Sequence, residues 1–532
     1  MVNKNILDFL NEGGVNYILQ SIKSKNKSEY EKIKNIFFQK KIELNNFEIE
    51  SLSIIDFEWK GLNRDRNWWW QLQALPFLNW YINSYELQNS EEKERFYKLC
   101  LASIKNWLIK TAESESPLAW HDHATAFRVR NIVNWLVFCE IKGLNKGRLT
   151  EKLQLTTVIF DHLDWLAEDR NFSFHTNHGF DQAMVVLTVS LMFDGVKFDS
   201  YRRISRNRLK EEINYAFTDE GVHKENSPGY QKFMLSRLKQ LKIFSLLGDR
   251  NISSSVEEYL KKAEGFLKAI TLPNGFLPLI GDTRLEVGLL ETENELNSQA
   301  KGYAIFDYSK SGYVVIKGKD GKEKEFYILL KNSHQSNYHR HDDDMMIFVF
   351  YDGEVVFGDA GLYNHQEKDI RRINVRSFLG HSVPYVLKTA IRNKEWLEKK
   401  PRLERVDEMT FKMESSMFGL TLLREIKVVT EPNLSITIND TRSQKNHEKI
   451  WSNFFIPECS KLLKKEGKLL LGFKGFLCEI CNIDHTEIES CLGWEEAGFE
   501  KGAYSSEEYG VLKPALRISF ESRPVVINFN NY

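Results

Sequence analysis

Four side chains that can bind a metal lie close together near the middle of the sequence. His339 and His341 are two residues apart, so in a β-strand both imidazoles would project from one face. Residues 345–358 are predicted to form two strands joined at an Asp-Gly hairpin dipeptide, which returns Asp359 beside the histidines. His381 can complete the set. Imidazoles and a carboxylate around an open position suit zinc, and this interpretation is favoured over a solvated edge strand.

Length and composition set the frame for this candidate site. At 532 residues the chain is too long for one ordinary core, so two or more domains are expected, and 42% hydrophobic with 28% charged residues describes a soluble globular protein. A net charge of −1 argues against nucleic-acid binding, although a cleft can still be locally basic. No apolar run reaches the length of about 18 residues that membrane insertion requires.

The N-terminal segment lacks an apolar stretch followed by a small-residue cleavage site. We therefore expect either a cytoplasmic protein or a periplasmic or secreted one whose signal was removed. The six cysteines do not form a disulfide framework in so long a chain. Cys478 and Cys481 form a C-x-x-C with His485 nearby, but 476–483 is predicted to be a strand, where these cysteines point to opposite faces. A second metal site is therefore not expected there.

The hydrophobic period changes along the chain. Helical spacing extends from residue 5 to about 270, and strand-like alternation follows a polar stretch. Helices are predicted at 68–81, 95–111, 125–141, 153–167, 181–193 and 232–247, and strands at 312–317, 325–330, 345–350 and 434–439. Helices joined by short loops indicate a bundle, solenoid or toroid, and many strands with charged turns indicate an antiparallel β-sandwich. The predicted domains are 1–285, a linker at 286–301, and 302–532.

The helical half carries aromatic and hydrogen-bonding side chains suited to sugar rings. Residues 64–71 combine three tryptophans with arginines and an asparagine, and Trp120 lies in a loop before the helix that carries Arg128. A pyranose offers an apolar C–H face and a polar rim, and arginine binds a carboxylate or sulfate bidentately. The alternative is that the tryptophans are core residues, which is favoured for Trp69, Trp70 and Trp135 and is about as probable as sugar contact for Trp120.

Two further segments place polar residues at helix starts. Asn177 and His178 precede an apolar helix, whose N-terminus favours an anion, although Asn177 could simply cap the helix. Pro228-Gly229 is predicted to begin another helix and to place Tyr230 in its first turn, where a tyrosine more often packs than reacts.

Taken together, these motifs resemble the heparinase II/III-like polysaccharide lyases. The resemblance runs in order over about residues 60–385. The motifs that carry it are Asn177-His178-Gly179, Glu225-Asn226-Ser227-Pro228-Gly229-Tyr230, Pro278-Leu279-Ile280-Gly281-Asp282, and His339-x-His341 followed by Asp359-x-Gly361 and His381. It implies an α+β multidomain fold, with an N-terminal (α/α) toroid and a C-terminal antiparallel β-sandwich. It also implies cleavage of the bond to O4 of a uronic acid by β-elimination.

The resemblance also implies roles for individual residues. Asn177, with His178 beside it, would neutralise the uronate carboxylate so that the C5 proton becomes acidic. Tyr230 would transfer protons, as base or as acid, and His339 would lie across the cleft as a partner base. Zinc, or another divalent metal such as manganese, would be bound by His341, Asp359 and His381 in a mostly structural role. Substrate contacts are expected from Asn67, Trp120, His123, Arg128, Glu225 and Arg371.

The expected partner is an anionic uronate polysaccharide or oligosaccharide, such as a glycosaminoglycan of the hyaluronan, chondroitin or heparan type. Alginate or an oligouronate is the alternative substrate. A glycoside hydrolase would need two catalytic carboxylates, and Asp181 with Glu225 could be offered, but this leaves Tyr230, Asn177 and His339 without a role. A non-catalytic polysaccharide-binding protein is the third hypothesis. The sequence leaves the polymer, endo or exo action and the oligomeric state open.

Overall fold

The structure is a computed structural model that describes residues 4–61, 64–111, 116–290, 302–386, 399–443, 448–459, 461–483 and 488–531. The chain forms two compact units. Unit 1 comprises Met1–Tyr215 and Gln240–Glu257, and unit 2 comprises Ala216–Lys239 and Glu258–Tyr532. Each unit is described by itself. The domain boundaries at 285 and 302 stay a prediction.

Unit 1 is helical, with one short hairpin of β1 (Lys41–Ile42) and β2 (Glu50–Ser51). Its α-helices are α1 (Glu12–Ser21), α2 (Lys27–Lys34), α3 (Arg66–Gln73), α4 (Phe77–Asn83), α5 (Ser90–Thr111), α6 (Asp122–Ile141), α7 (Leu149–Ala167), α8 (Asn177–Leu191) and α9 (Val196–Ala216), which ends at the unit boundary. The single helix predicted at 68–81 is two helices, because Leu75 has a φ of 53° and precedes Pro76. Trp68, Trp107 and Trp135 are fully buried in this unit.

Unit 2 begins with α10 (Pro228–Gln240) and most of α11 (Arg250–Ile270), and continues with antiparallel strands. The first sheet has the order β3-β4-β5-β6-β7, the second β14-β15-β16-β21-β12-β11-β10-β9, and the third β17-β20-β13-β8. The strands of these sheets are β3 (Tyr303–Tyr308), β4 (Tyr313–Lys319), β5 (Glu325–Lys331), β6 (Met346–Tyr351), β7 (Glu354–Phe357), β8 (Pro384–Val386), β9 (Arg402–Arg405), β10 (Thr410–Ser415), β11 (Leu422–Val429), β12 (Ser435–Arg442), β13 (Ile450–Ile456), β14 (Lys461–Lys465), β15 (Lys468–Gly472), β16 (Phe476–Cys481), β17 (Glu489–Leu492), β20 (Leu516–Glu521) and β21 (Val525–Asn531).

Smaller elements complete unit 2: β18 (Tyr504–Ser505) pairs with β19 (Lys513–Pro514), and α12 (Ile370–Arg376) and α13 (Gly498–Lys501) are short helices. One buried apolar cluster draws on all three sheets, for example through Ile328, Ile426 and Phe454. In β16 the burial alternates, so Cys478 is buried and Cys481 is half-buried on the other face, whereas His485 lies outside the described residues. Within the part of the chain that the structure describes, no helix is long and apolar enough to cross a membrane.

The predicted hairpin is confirmed, but the predicted histidine strand is wrong. Strands β6 and β7 are joined at Asp352-Gly353, with φ values of 46° and 93° that suit a type I′ turn. His339 and His341 instead lie in the loop between β5 and β6, and His339 has a left-handed φ of 53°. This loop is stabilised by buried ion pairs rather than by a strand ladder. They join Lys331 to Asp343 at 2.5 Å, and Arg340 to Asp344.

Candidate functional site

Asp122 is the centre of a polar cluster in unit 1. It begins α6, and its carboxylate accepts hydrogen bonds from His178 Nδ1 at 3.1 Å, from the backbone N–H of His123 at 2.5 Å and from the Ser173 hydroxyl. His121 Nδ1 lies 2.7 Å from Asp122 Oδ1, the oxygen that also accepts from the His123 N–H. Burial opposes ionisation, but the hydrogen bonds from His121, His178 and Ser173 outweigh it and hold the pKa of Asp122 well below its usual range. The carboxylate therefore stays charged and orients two imidazoles.

His123 extends this cluster by stacking. Its ring lies 4.3 Å from that of His178 at an angle of 23°, and 5.1 Å from the ring of Trp70. Its Nε2 is 2.7 Å from Asp181, a carboxylate with no exposed surface. Burial lowers the pKa of His123, although the Asp181 charge opposes the shift. His123 is therefore a neutral, fixed ring at neutral pH.

These rings line a cavity of about 420 Å³, a volume within the range of small-molecule sites. The lining residues are Asp65, Arg66, Asn67, Trp70, Leu118, His121, His123 and His178. Asn67 and His123, which were predicted to contact sugar, both line it, as does the predicted catalytic residue His178. Arg66 donates to His121 Nε2 at 2.9 Å, so the wall is hydrogen-bonded to itself.

Asn177 is the first residue of α8 and is exposed, and its side chain makes no hydrogen bond with the described residues. The alternative capping role is wrong, because Thr176 caps the helix by accepting from the backbone N–H of Gly179 at 3.1 Å. The loop before α8 is held by Glu212, which accepts from the backbone N–H of His175 at 2.9 Å. The Asn177 amide is therefore presented outward from a fixed helix end.

The two remaining residues of unit 1 that were predicted to contact sugar differ in exposure, because Trp120 is exposed and Arg128 is buried. Trp120 is 43% exposed, with its ring 4.9 Å from that of His162. Arg128 is completely buried, donates to the carbonyls of Gln73 and Ala119, and lies 4.1 Å from the Trp107 ring. In this position Arg128 supports the Trp120 loop and is not available to a sugar, whereas Trp120 is.

Tyr230 and His339 form the central pair of unit 2. Tyr230 lies in the first turn of α10 as predicted, and its ring stacks on His339 with centroids 3.7 Å apart and an angle of 22°. The His339 loop is fixed from α10's own entry turn, because Asn226 donates to the carbonyls of Ser336 and Tyr338 at 2.9 and 3.0 Å. The two side chains that the sequence predicted for proton transfer are therefore in direct contact.

Asp282 is the centre of this second cluster. One carboxylate oxygen lies 2.8 Å from His339 Nδ1 and the other 2.8 Å from His341 Nε2. Arg372 donates to both oxygens, at 2.5 and 2.8 Å. Burial opposes ionisation, but the hydrogen bonds from His339, His341 and Arg372 hold the pKa of Asp282 well below its usual range. Because the carboxylate accepts from Nδ1–H of His339, Nε2 of that ring is left as the basic nitrogen.

Burial and nearby charges shift the pKa values of Tyr230 and of Glu225, which lies beside the pair. Burial, together with the charges of Asp282 and Glu225, raises the pKa of Tyr230 to about 12. Burial also raises the pKa of Glu225, whose Oε2 lies 3.4 Å from His339 Nε2. Tyr230 therefore keeps its proton near neutral pH and can donate it, while Glu225 faces the nitrogen that would receive one.

The predicted metal ligands come together behind Asp282. His341, Asp359 and His381 are buried, and one donor atom of each lies within 4.8 Å of the others. Asp359 and His381 pair as an isolated antiparallel bridge, with His381 Nδ1 2.9 Å from the carboxylate. His341 Nδ1 and His381 Nε2 are buried ring nitrogens without a hydrogen-bond partner among the described residues. Two bare nitrogens beside a carboxylate fit zinc, and Asp282 would be the outer carboxylate that fixes the His341 tautomer.

The residues that orient the predicted site residues, namely Asp122, Asp282 and Arg372, were not among the predictions. Asp282 stood in a recognised motif without a role, and Asp122 was passed over between two histidines. Arg371 was chosen as the substrate contact, but it pairs with Asp369, and its neighbour Arg372 reaches Asp282. An acid flanked by two histidines, as in His121-Asp122-His123, is the sequence signal that could have identified Asp122. Only the fold distinguishes Arg371 from Arg372.

Comparisons with known proteins identify the family of this chain. The family model described as the heparinase II/III N-terminus matches residues 11–307, more than half of the chain, so the chain belongs to the heparinase II/III family. No curated protein sequence matches it.

Solved structures of the same fold are similar over nearly the whole chain. A heparinase III with methylated lysines is 15% identical with a TM-score of 0.72, covering 97% of this chain and 85% of that one. A mutant heparan sulfate lyase from Pedobacter heparinus is 14% identical with a TM-score of 0.71, covering 95% and 84%. Another heparinase III is 14% identical with a TM-score of 0.67, covering 100% and 94%. These likenesses confirm the predicted fold class, a helical toroid followed by an antiparallel β-sandwich.

Proposed function

We propose that this protein cleaves a uronic-acid-containing polysaccharide by β-elimination, leaving a 4,5-unsaturated uronate at the new non-reducing end. Membership of the heparinase II/III family supports a polysaccharide lyase. The similar structures include a heparinase III and a heparan sulfate lyase, which favours a glycosaminoglycan of the heparan type over hyaluronan, chondroitin or alginate. The observation that carries the proposal is the stacked pair of Tyr230 and His339, in which Nδ1 of His339 is hydrogen-bonded to Asp282.

The proton transfers follow from the protonation states of that pair. His339 Nε2 takes the C5 proton, the C5–H electrons form the C4–C5 double bond, and the bond from C4 to O4 breaks. The Tyr230 hydroxyl, protonated because its pKa is about 12, gives its proton to the departing O4. A proton then returns from His339 to Tyr230, whose ring is in contact with it. No water is consumed.

Removing a proton beside a carboxylate requires that the carboxylate charge be neutralised. Asn177 and His178 are proposed for this role, with the exposed Asn177 amide donating to the carboxylate oxygens. Donors aimed at the charge that develops during the reaction contribute on the order of 10²–10³ in rate each. Asn67, His123 and Trp120 are proposed as sugar contacts because they line the unit 1 cavity or expose an aromatic face.

We propose that His341, Asp359 and His381 hold a divalent metal, with zinc favoured by the nitrogen-rich donor set. When bound, the metal would hold the His341 loop against the bridge that joins Asp359 and His381. Elemental analysis of the purified protein should find about one zinc or manganese per chain. A His381→Ala variant should lose it and melt at a lower temperature. Equal metal content in the two proteins would refute the assignment.

The activity is tested by ultraviolet absorbance during incubation with hyaluronan, chondroitin sulfates, heparosan, heparan sulfate, heparin and alginate. A rising band from the conjugated double bond is expected, with the heparan-type polymers fastest. New reducing ends without this band would indicate hydrolysis and overturn the proposal. Asp181 is a poor candidate for one of the two carboxylates that hydrolysis needs, because it is fully buried and hydrogen-bonded to His123 rather than presented to a sugar.

A further inference from the structure

A row of rings leads away from the reacting pair within unit 2. The His339 ring is followed by His365, with centroids 6.0 Å apart, and His365 by Tyr509 at 5.8 Å. The guanidinium of Arg284 lies 4.7 Å from the centre of the Tyr509 ring. His365, Tyr509 and Arg284 are exposed. None of them takes part in the proton transfers proposed above.

The segments that carry this row are fastened to one another. The backbone N–H of His365 donates to the Tyr509 hydroxyl at 3.3 Å, and that of Gly510 donates to the Tyr363 carbonyl at 2.7 Å. The backbone N–H of Leu285, next to Arg284, donates to the Glu507 carbonyl at 3.0 Å. Three distant parts of the sequence are therefore joined by backbone contacts, and the exposed side chains they carry are pre-positioned.

Arg284 is an exposed charged group at the end of this row. Its guanidinium makes no ion pair or hydrogen bond with the described residues, although the ring of Tyr509 holds it in place. Burial raises the pKa of Tyr230 and the Arg284 charge opposes that shift, whereas burial lowers the pKa of His365 and the Arg284 charge adds to it, so Arg284 lies within electrostatic reach of both rings. An exposed guanidinium beside an aromatic ring can donate paired hydrogen bonds to the two oxygens of a carboxylate or sulfate.

We propose that His365, Tyr509 and Arg284 form a sugar subsite beside the reacting pair, in which Arg284 binds an oxyanion of the substrate. The proposal rests on the proposed lyase function and adds the recognition of a neighbouring charged sugar. The two rings offer their faces to the C–H face of a pyranose, and the guanidinium binds a carboxylate or a sulfate on that sugar or the next one. The subsite therefore selects for charge rather than for one polymer backbone.

The test compares Arg284→Gln and Arg284→Lys with the wild-type protein on heparosan and on heparan sulfate. Losing a charge-assisted hydrogen-bond pair should raise KM about 10- to 100-fold with kcat changed less than about threefold. Arg284→Lys should fall between, because an ammonium keeps the charge but not the paired donors. Arg95→Gln is the matched control, since Arg95 is also exposed and lies 4.4 Å from the exposed ring of Phe38.

The substrates distinguish the two oxyanions. A KM increase on both polymers identifies a carboxylate, whereas an increase on heparan sulfate alone identifies a sulfate. A KM for Arg284→Gln equal to that of Arg95→Gln on every cleaved polymer would overturn the subsite.

If wild-type protein gives no unsaturated product, the lyase proposal fails, and the subsite is tested by calorimetry with a heparan sulfate octasaccharide, which carries both carboxylates and sulfates. Weaker binding to Arg284→Gln would then still support it, and equal or absent binding would refute it.

Discussion

The two units each place a charged aspartate between histidines, but they do so differently. Asp122 in unit 1 is half-buried, and its described partners are two histidines, the Ser173 hydroxyl and a backbone N–H. Asp282 in unit 2 is 3% exposed and additionally receives both arms of Arg372. The first cluster borders an open cavity, whereas the second borders the stacked pair and the candidate metal ligands. We use this difference to assign the proposed substrate recognition to unit 1 and the proposed proton transfer to unit 2.

The largest expected effect comes from Tyr230→Phe. The ring remains to stack on His339, but the proton for O4 is lost, so kcat should fall by about 10²–10⁴. Initial rates of double-bond formation measure it. Tyr215→Phe is a matched control in unit 1, because Tyr215 stacks on His175 with centroids 3.8 Å apart. If both variants lose activity equally, unit 2 is not the proton-transfer region.

Asn177→Ala tests the recognition side of the comparison. Losing the amide that is proposed to donate to the uronate carboxylate should lower kcat by about 10²–10³. Asn177→Asp should be at least as slow, since it replaces the donor with a like charge. The melting temperature should stay unchanged, because the side chain makes no hydrogen bond with the described residues. Activity within threefold of wild type in both variants would exclude the role.

Substituting the two aspartates separates the clusters directly. Asp282→Asn places an amide donor against Arg372 and loosens both His339 and His341, so kcat and metal content should fall, the former by about 10–100-fold. Asp122→Asn should act mainly on KM, because it loosens rings that line the cavity. Full kinetics and elemental analysis of both variants are required. An Asp122→Asn variant with the larger loss in kcat would reverse the assignment.

The smallest effect concerns the loop before α8. Burial raises the pKa of Glu212 to about 7, although the backbone N–H and the charge of His175 oppose the shift. An unfolded glutamate has a pKa of about 4.3, so the folded protein holds the Glu212 proton more tightly than the unfolded chain does. The resulting contribution to stability is fully present below about pH 4.3 and is lost as the pH rises through about 7. Glu212→Gln should therefore melt above wild type at pH 8 and close to it at pH 4. Equal differences at both pH values would contradict this.

Sequence patterns predicted what local chemistry determines. The period change separated helices from strands, the Asp-Gly dipeptide marked the hairpin between β6 and β7, and Pro228-Gly229 placed Tyr230 in a first turn. Residue types and spacing indicate His339, His341, Asp359 and His381 as candidate metal ligands, and the family resemblance implies the last three. Donor atoms of those three lie together, but the strand predicted to carry His339 and His341 is a loop. Buried ion pairs such as that between Lys331 and Asp343 stabilise this loop, and no periodicity encodes them.

Residues that orient others were harder to predict than residues that react. Asp282 lies 57 residues from His339 and 90 from Arg372 in sequence, so its contacts exist only in the folded unit. Arg128 looked like a sugar ligand because it follows an aromatic loop, yet its guanidinium is buried under Trp107 and Trp120. A charged residue type indicates function only when its burial and its partners are known.

The proposed elimination breaks the bond from C4 to O4 without consuming water, and mass spectrometry tests this most directly. A heparosan oligosaccharide of defined length is incubated with the protein, and the masses of the two fragments from one cleavage are added. The account predicts a sum equal to the mass of the parent, because elimination only moves a proton from C5 to O4. A sum that exceeds the parent by one water would show hydrolysis and contradict the account.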